Sequence, residues 1–168
     1  MNRTDGSLLG KQHAPHRGGS VQVGQYTVLA GGTRDLRARD LEDVDVLVPL
    51  AGEAPFALGR SYRIIGCPMR DFGGVPDGWR MFLEGVIIPE LVVGQKLCVF
   101  CVGGHGRTGT FLASLIALLE SIDETPDPIA AVRERHCMRA VETLAQARAV
   151  FALRGQHLPA EYQTMFPY

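Results

Sequence analysis

The chain has 168 residues, 46% of them apolar, with 17 Lys and Arg against 18 Asp and Glu. That length suits one domain with a real buried core and leaves little for a second. The near-cancelling charge, without a basic block, excludes an electrostatic case for nucleic acid or an anionic membrane face.

The first 20 residues are polar and lack the apolar centre of a secretory signal. No run approaches the roughly 18 consecutive apolar residues of a membrane span. Four cysteines, Cys67, Cys98, Cys101 and Cys137, are too sparse for a disulfide scaffold and suit a reducing compartment. These features predict a soluble, cytoplasmic, monomeric protein.

In chain order, residues 1–22 are expected to form a flexible arm, 23–155 one domain, and 156–168 an irregular tail. Residues 25–30 read as a strand closed by Gly31 and Gly32, and Thr33 as the cap of a short helix over 36–41. The apolar run 44–50 predicts a strand covered on both faces, and 62–67 another ended by Pro68. Trp79, Phe82, Leu83, Val86 and Ile87 have helical spacing, with Pro89 expected to bend or end the helix. Residues 97–101 form a buried strand, followed by a glycine-rich loop and an apolar helix over 108–120. Asp127 and Pro128 open the next helix. Residues 143–154 form the last helix, with Gly155 placed to stop it. Strands alternating with helices predict an α/β fold. Its form would be a single domain with a central, mainly parallel sheet of four to five strands and helices on both faces.

The chemistry concentrates in the loop from Cys101 to Thr108. Ligand sites of open α/β sheets lie beyond the carboxyl ends of the strands. A loop containing Gly103, Gly104 and Gly106 can turn its N–H groups inward as an anion nest, and the following helix aims its positive end at the same point. Val102, Gly103, Gly104, His105 and Gly106 are therefore candidates to cradle a phosphoryl group without a metal or other cofactor. The same amides favour a thiolate at Cys101; a free thiol titrates near 8.5, and such settings can lower that by several units. Arg107 supplies a planar fork for two phosphoryl oxygens. Thr108 can donate to the sulfur and help it leave. The histidines show no metal-ligand spacing.

A phosphomonoester hydrolase also needs a proton donor for the leaving oxygen. The segment 69–77 offers Asp71 on a loop with Gly73 and Gly74 as hinges, and Asp77 as a competitor whose structural use would be to cap the helix at Trp79. Thr143 and Gln146 have the spacing of a capping box.

Cys101, five residues, Arg107 and Thr108, with Gly109 behind them, resemble the signature of the protein tyrosine phosphatase superfamily. The resemblance spans about 26–153 and is nearest to the compact dual-specificity type, in its kinase-associated and cell-division-cycle branch. It implies a two-step hydrolysis through a phosphocysteine, with Asp71 as the acid, Gln146 as a water-orienting residue, and a phosphorylated protein or peptide as partner. Phe100 is a departure, since the family usually has His before the nucleophile. It leaves open a phosphate-binding module with little catalysis. Sulfur or arsenate chemistry on a Cys–Arg loop is a further alternative, which neither Asp71 nor Thr108 favours. Among the other thiols, Cys98 reads as core packing and Cys137 as inert. Cys67 is close enough in the expected fold to be a possible disulfide partner of Cys101. His105 reads as a rim residue.

Overall fold

A computed structural model describes residues 18–52 and 62–166. The sheet has five strands: β1 (Gly19–Val23), β2 (Tyr26–Gly32), β3 (Val46–Pro49), β4 (Arg63–Ile64) and β5 (Leu97–Cys101), in the order β1-β2-β5-β3-β4. Only the β1–β2 hairpin is antiparallel. β5 lies between β2 and β3 and is parallel to both, Gly32 facing Cys101 and Pro49 facing Phe100. Every residue of β5 is buried, as a strand covered on both faces requires.

Alternation along β5 splits the interior in two. Leu97, Val99 and Cys101 face the large core, built with helix α3 (Gly106–Leu119) and its neighbours α4 (Pro128–Arg135) and α5 (Leu144–Ala152). Cys98 and Phe100 face a smaller cluster with Leu36, Leu41, Val44 and Leu47. Among the described residues that cluster is covered by a 3-10 turn, Ala38–Leu41, rather than by a long helix. α3 is buried nearly all round because it is wrapped by sheet and helices; Phe111, Leu112, Leu115 and Ile116 are completely buried.

Several expected boundaries move. Of the expected arm, residues 1–17 lie outside the described residues, but Gly19–Val23 is strand β1, with Val21 and Val23 buried against the core. Cross-strand pairing with β2 overrides the polar look of that stretch. The expected irregular tail contains α6 (Ala160–Met165), held because Tyr162 donates to the Asp127 carboxylate at 2.7 Å and packs on Phe151 and Phe166. Thr33 caps no helix. The 3-10 turn starts after Arg37, whose N–H donates to the Asp40 carboxylate at 2.7 Å.

Pro89 does not end its helix. α1 (Trp79–Phe82) continues through a π turn, Leu83–Ile87, into α2 (Ile88–Val92). The Ile88 N–H reaches back five residues to the Leu83 carbonyl. This wider turn accommodates the ring of Pro89, which supplies no N–H of its own. Trp79 is buried there and donates from Nε1 to Ser114 Oγ at 3.0 Å. No helix among the described residues is long and apolar enough to cross a membrane.

The far end of the fold is tied by Glu120. Its carboxylate accepts from the Gly24 N–H at 2.9 Å, from Arg135 Nη1 at 2.5 Å and Nη2 at 3.1 Å, and from the Thr125 hydroxyl. Burial raises this carboxyl, but the bonds from Arg135, Thr125 and Gly24 outweigh it and bring it to about 2. A carboxylate that titrates lower in the folded than in the unfolded chain stabilises above its unfolded value and loses that contribution on acidification. Stability is therefore expected to fall by on the order of 1–3 kcal/mol between about pH 4.5 and 2 from this group. Glu120→Gln should remove that part of the slope in urea denaturation followed against pH.

Candidate active site

The loop after β5 folds back over the end of β2. Thr33 donates its N–H to the carbonyls of Cys101 and Val102, at 3.0 and 3.2 Å. The approach is so close that side chains are excluded on both sides. A Cβ on Gly32 would lie 2.7 Å from the Val102 carbonyl oxygen. A Cβ on Gly104 would lie 2.5 Å from the Gly32 nitrogen. Gly104 also has φ +74, a conformation that costs a side chain but not glycine. In that position its N–H donates to Cys101 Sγ at 3.2 Å. His136 at the end of α4 holds the other side of the same residue, with Nε2 at 2.7 Å from the Gly104 carbonyl.

Cys101 sits at the floor of a cleft of about 170 Å³, and its Sγ also lies 3.2 Å from the Thr108 hydroxyl. The cleft is lined by Val102, Gly103, His105 and Gly106 from the loop, by Asp71 and Phe72, by Arg107, and by Arg139 and Glu142. α3 begins at Gly106, so its free N–H groups start at this cleft. Gly104 lies deeper and is buried; Val102 and Gly103 are exposed on the rim.

Arg107 is 8% exposed. Its fork reaches the Met69 carbonyl at 3.4 Å and Asp71 Oδ1 at 3.2 Å. Asp71 is therefore brought to the cleft, on a loop whose Gly73 carbonyl accepts from the Thr143 hydroxyl at 3.4 Å. Asp77 is exposed, does not line the cleft and does not cap the helix at Trp79; the N-cap is Gly78, at φ 72.

Gln146 is not in the cleft. It is fully buried, and its Oε1 accepts from the Glu142 N–H at 2.8 Å, while Nε2 has no partner among the described residues. The Thr143 hydroxyl accepts from the Gln146 N–H at 3.2 Å as a capping residue does. The reciprocal bond falls one residue before the cap, so the capping box is shifted toward Glu142. Sequence reasoning missed Glu142 itself, because the Thr–Gln spacing absorbed attention. Only the fold marks it: the residue before it, Val141, is β-branched and sits at φ 63, a strain of about 1–3 kcal/mol of a kind that concentrates at functional sites.

The four cysteines are free thiols in distinct surroundings. Burial, with Asp40 adding, pushes Cys98 up to about 12. Burial also raises Cys67 and Cys137. Cys137 Sγ lies 3.1 Å from His105 Nδ1, so this cysteine, read as inert, borders the loop after β5. In the native protein Cys98 is expected to resist iodoacetamide at pH 8 and to react only on unfolding, as peptide mass mapping would show.

No family model matches the chain. Among curated proteins it is similar to the uncharacterized protein MJ0215 of Methanocaldococcus jannaschii, 40% identical over 84 residues. Those residues are 49% of this chain and 50% of that protein, so the chain spans about half the length of this relative. Among solved structures it is similar to Tk-PTP in its active form, with a TM-score of 0.64 and 20% identity over 82% of this chain and 97% of the other. It is also similar to kinase associated phosphatase with its catalytic cysteine replaced by serine, at TM-score 0.63 and 14% identity over 86% and 97%. The chain has the fold of these phosphatases.

Proposed function

We propose that the chain is a cysteine-dependent phosphomonoester hydrolase, a tyrosine or dual-specificity phosphatase acting on a phosphorylated protein or peptide through a phosphocysteine. One observation carries the reading. Cys101 Sγ receives the Gly104 N–H and faces the Thr108 hydroxyl in the same cleft that holds Arg107 and Asp71.

In the first step Cys101 attacks phosphorus, and the bond to the leaving oxygen breaks as Asp71 protonates that oxygen. Arg107 exchanges its contact with Asp71 for two phosphoryl oxygens and holds them as charge redistributes. Loop N–H groups around Val102, Gly103, Gly104, His105 and Gly106 hold the third oxygen. In the second step water cleaves the phosphocysteine, and Thr108 donates to the returning thiolate. Gln146 supports that step from behind, through its bond to Glu142.

The second reading is phosphate binding with little turnover. It is favoured by Phe100, which stands where the family usually has a histidine and packs into the small cluster on the far side of the sheet.

Turnover of p-nitrophenyl phosphate with EDTA present decides between the two. Cys101→Ser is expected to abolish it while vanadate still binds; vanadate binding by a wild-type protein that never turns over would leave only the second reading. Asp71→Asn should lower kcat by about 100-fold or more on alkyl phosphates and much less on activated aryl phosphates, whose leaving groups need little protonation. Equal losses on both would remove Asp71 as the acid. Arg107→Lys should damage kcat/KM nearly as much as Arg107→Ala, because a point charge cannot replace the fork.

A further inference from the structure

We propose that the hydrogen bond from Trp79 to Ser114 is the fixed pivot of the segment that carries Asp71, which makes Ser114 a positioning residue for proton donation; the proposal rests on the phosphatase reading above. Packing gives Ser114 no reason to be serine. It is completely buried in the middle of α3, in the otherwise apolar run Phe111–Ile116. Alanine is a better helix former and has no hydroxyl to satisfy.

What the hydroxyl does is receive the indole. Its own proton goes to the Thr110 carbonyl at 2.7 Å, and its oxygen accepts from Trp79 Nε1 at 3.0 Å. Thr110 in turn donates its hydroxyl to the Gly106 carbonyl at 2.7 Å. A buried chain of hydrogen bonds therefore runs from Trp79 to Gly106, which lines the cleft. Trp79 is 5% exposed, and its ring stacks on Phe82 at 5.9 Å and meets the edge of Phe111 at 6.1 Å. An indole N–H left without a partner there is costly, so the bond fixes where Trp79 sits.

The residues on either side of Trp79 mark this point as the boundary between a rigid and a yielding segment. Arg80 pins the first turn of α1 again, donating to the Leu153 carbonyl at the end of α5 and to Glu84. Gly78 has φ 72, and a Cβ there would meet nothing, so glycine serves the backbone angle rather than a close approach. The other end of the segment is held at Met69, whose N–H donates to the Leu50 carbonyl at 2.9 Å and whose carbonyl faces Arg107 at 3.4 Å. Between these ends the Gly73 carbonyl accepts from Thr143 at 3.4 Å, and the Asp71 side chain is 62% exposed.

A strap with two fixed ends can swing its middle but cannot slide along its length. The Trp79 end therefore sets how far Asp71 reaches over the leaving oxygen. A proton donor displaced by a fraction of its hydrogen-bond length loses much of its effect, whereas the nest around Cys101 does not depend on this anchor.

The test compares kcat/KM on phenyl phosphate, whose leaving group needs a proton, with that on p-nitrophenyl phosphate, whose leaving group needs little. Wild type, Ser114→Ala, Trp79→Phe and the double variant are measured, together with vanadate affinity. Each single variant is expected to lose about 10-fold or more on phenyl phosphate and less than about 3-fold on p-nitrophenyl phosphate. Vanadate affinity should stay within about 2-fold, showing that fold and nest are intact, and the double variant should fall no further than either single one. An unchanged ratio between the two substrates, equal losses on both, losses that multiply in the double variant, or loss of vanadate binding each overturns the proposal, while wild-type turnover leaves the phosphatase reading standing. A wild type inactive on both substrates overturns both.

Discussion

The site depends on one steric constraint, the crossing of the Cys101–Thr108 loop over the end of β2. Two strands that pair in parallel end side by side at Gly32 and Cys101. The loop leaving one then lies directly on the other, backbone to backbone, because Gly32 and Gly104 carry no side chains. That contact sets the direction of the Gly104 N–H and hence its bond to the sulfur. A methyl group on either glycine would have to lift the loop by moving main chain, not a flexible side chain. The same crossing places α3 so that its first turn begins at the cleft, and α3 is held there by a core with almost no freedom to shift.

Charge in the cleft is arranged as two pairs, Arg107 with Asp71 and Arg139 with Glu142. The pairs differ in burial. Arg107 is inside and Asp71 largely outside, so this carboxylate can leave without stranding itself away from water. Were Arg107 to lose Asp71 with nothing in exchange, a nearly buried cation would keep, among the described residues, the Met69 carbonyl as its hydrogen-bond partner. On the phosphatase reading, a phosphate dianion entering the loop would supply that exchange and so couple anion binding to release of Asp71. In the second pair the order is reversed, with Glu142 inside and Arg139 half exposed. The cleft therefore keeps one carboxylate fixed and one able to move.

Much of this was legible in the sequence. β5, α3 and α4 fall where periodicity and capping residues put them, and Asp127 accepts from the N–H groups of Ile129 and Ala130, both at 2.9 Å. Cys101, Arg107, Asp71 and Thr108 come together because strand, loop and helix leave few ways to connect them. What was not legible depends on contacts between distant segments. β1 is a strand only because β2 pairs with it, and α6 forms only because Tyr162 finds Asp127. Pro89 breaks a straight helix but not one that can widen by a residue. Glu142 and His136 carry no local pattern. Their placement arises from where the 136–142 turn meets the loop after β5, which no window of sequence displays.

Phe100 shows how the loop is held without a histidine at that position. Successive residues of a strand point to opposite faces, so the side chain before Cys101 faces away from the large core and into the small cluster with Leu41, Val44 and Leu47. There an aromatic ring fills space that a polar ring would occupy at a desolvation cost. The loop is instead tied at its start and at its middle by elements outside the strand. Thr33 grips the carbonyls of Cys101 and Val102 from the β2 side. His136 grips the carbonyl of Gly104 from the α4 side. Those two ties bracket the residues that surround the sulfur. The geometry at Cys101 is thus maintained by neighbouring segments, and position 100 is left to pack the sheet.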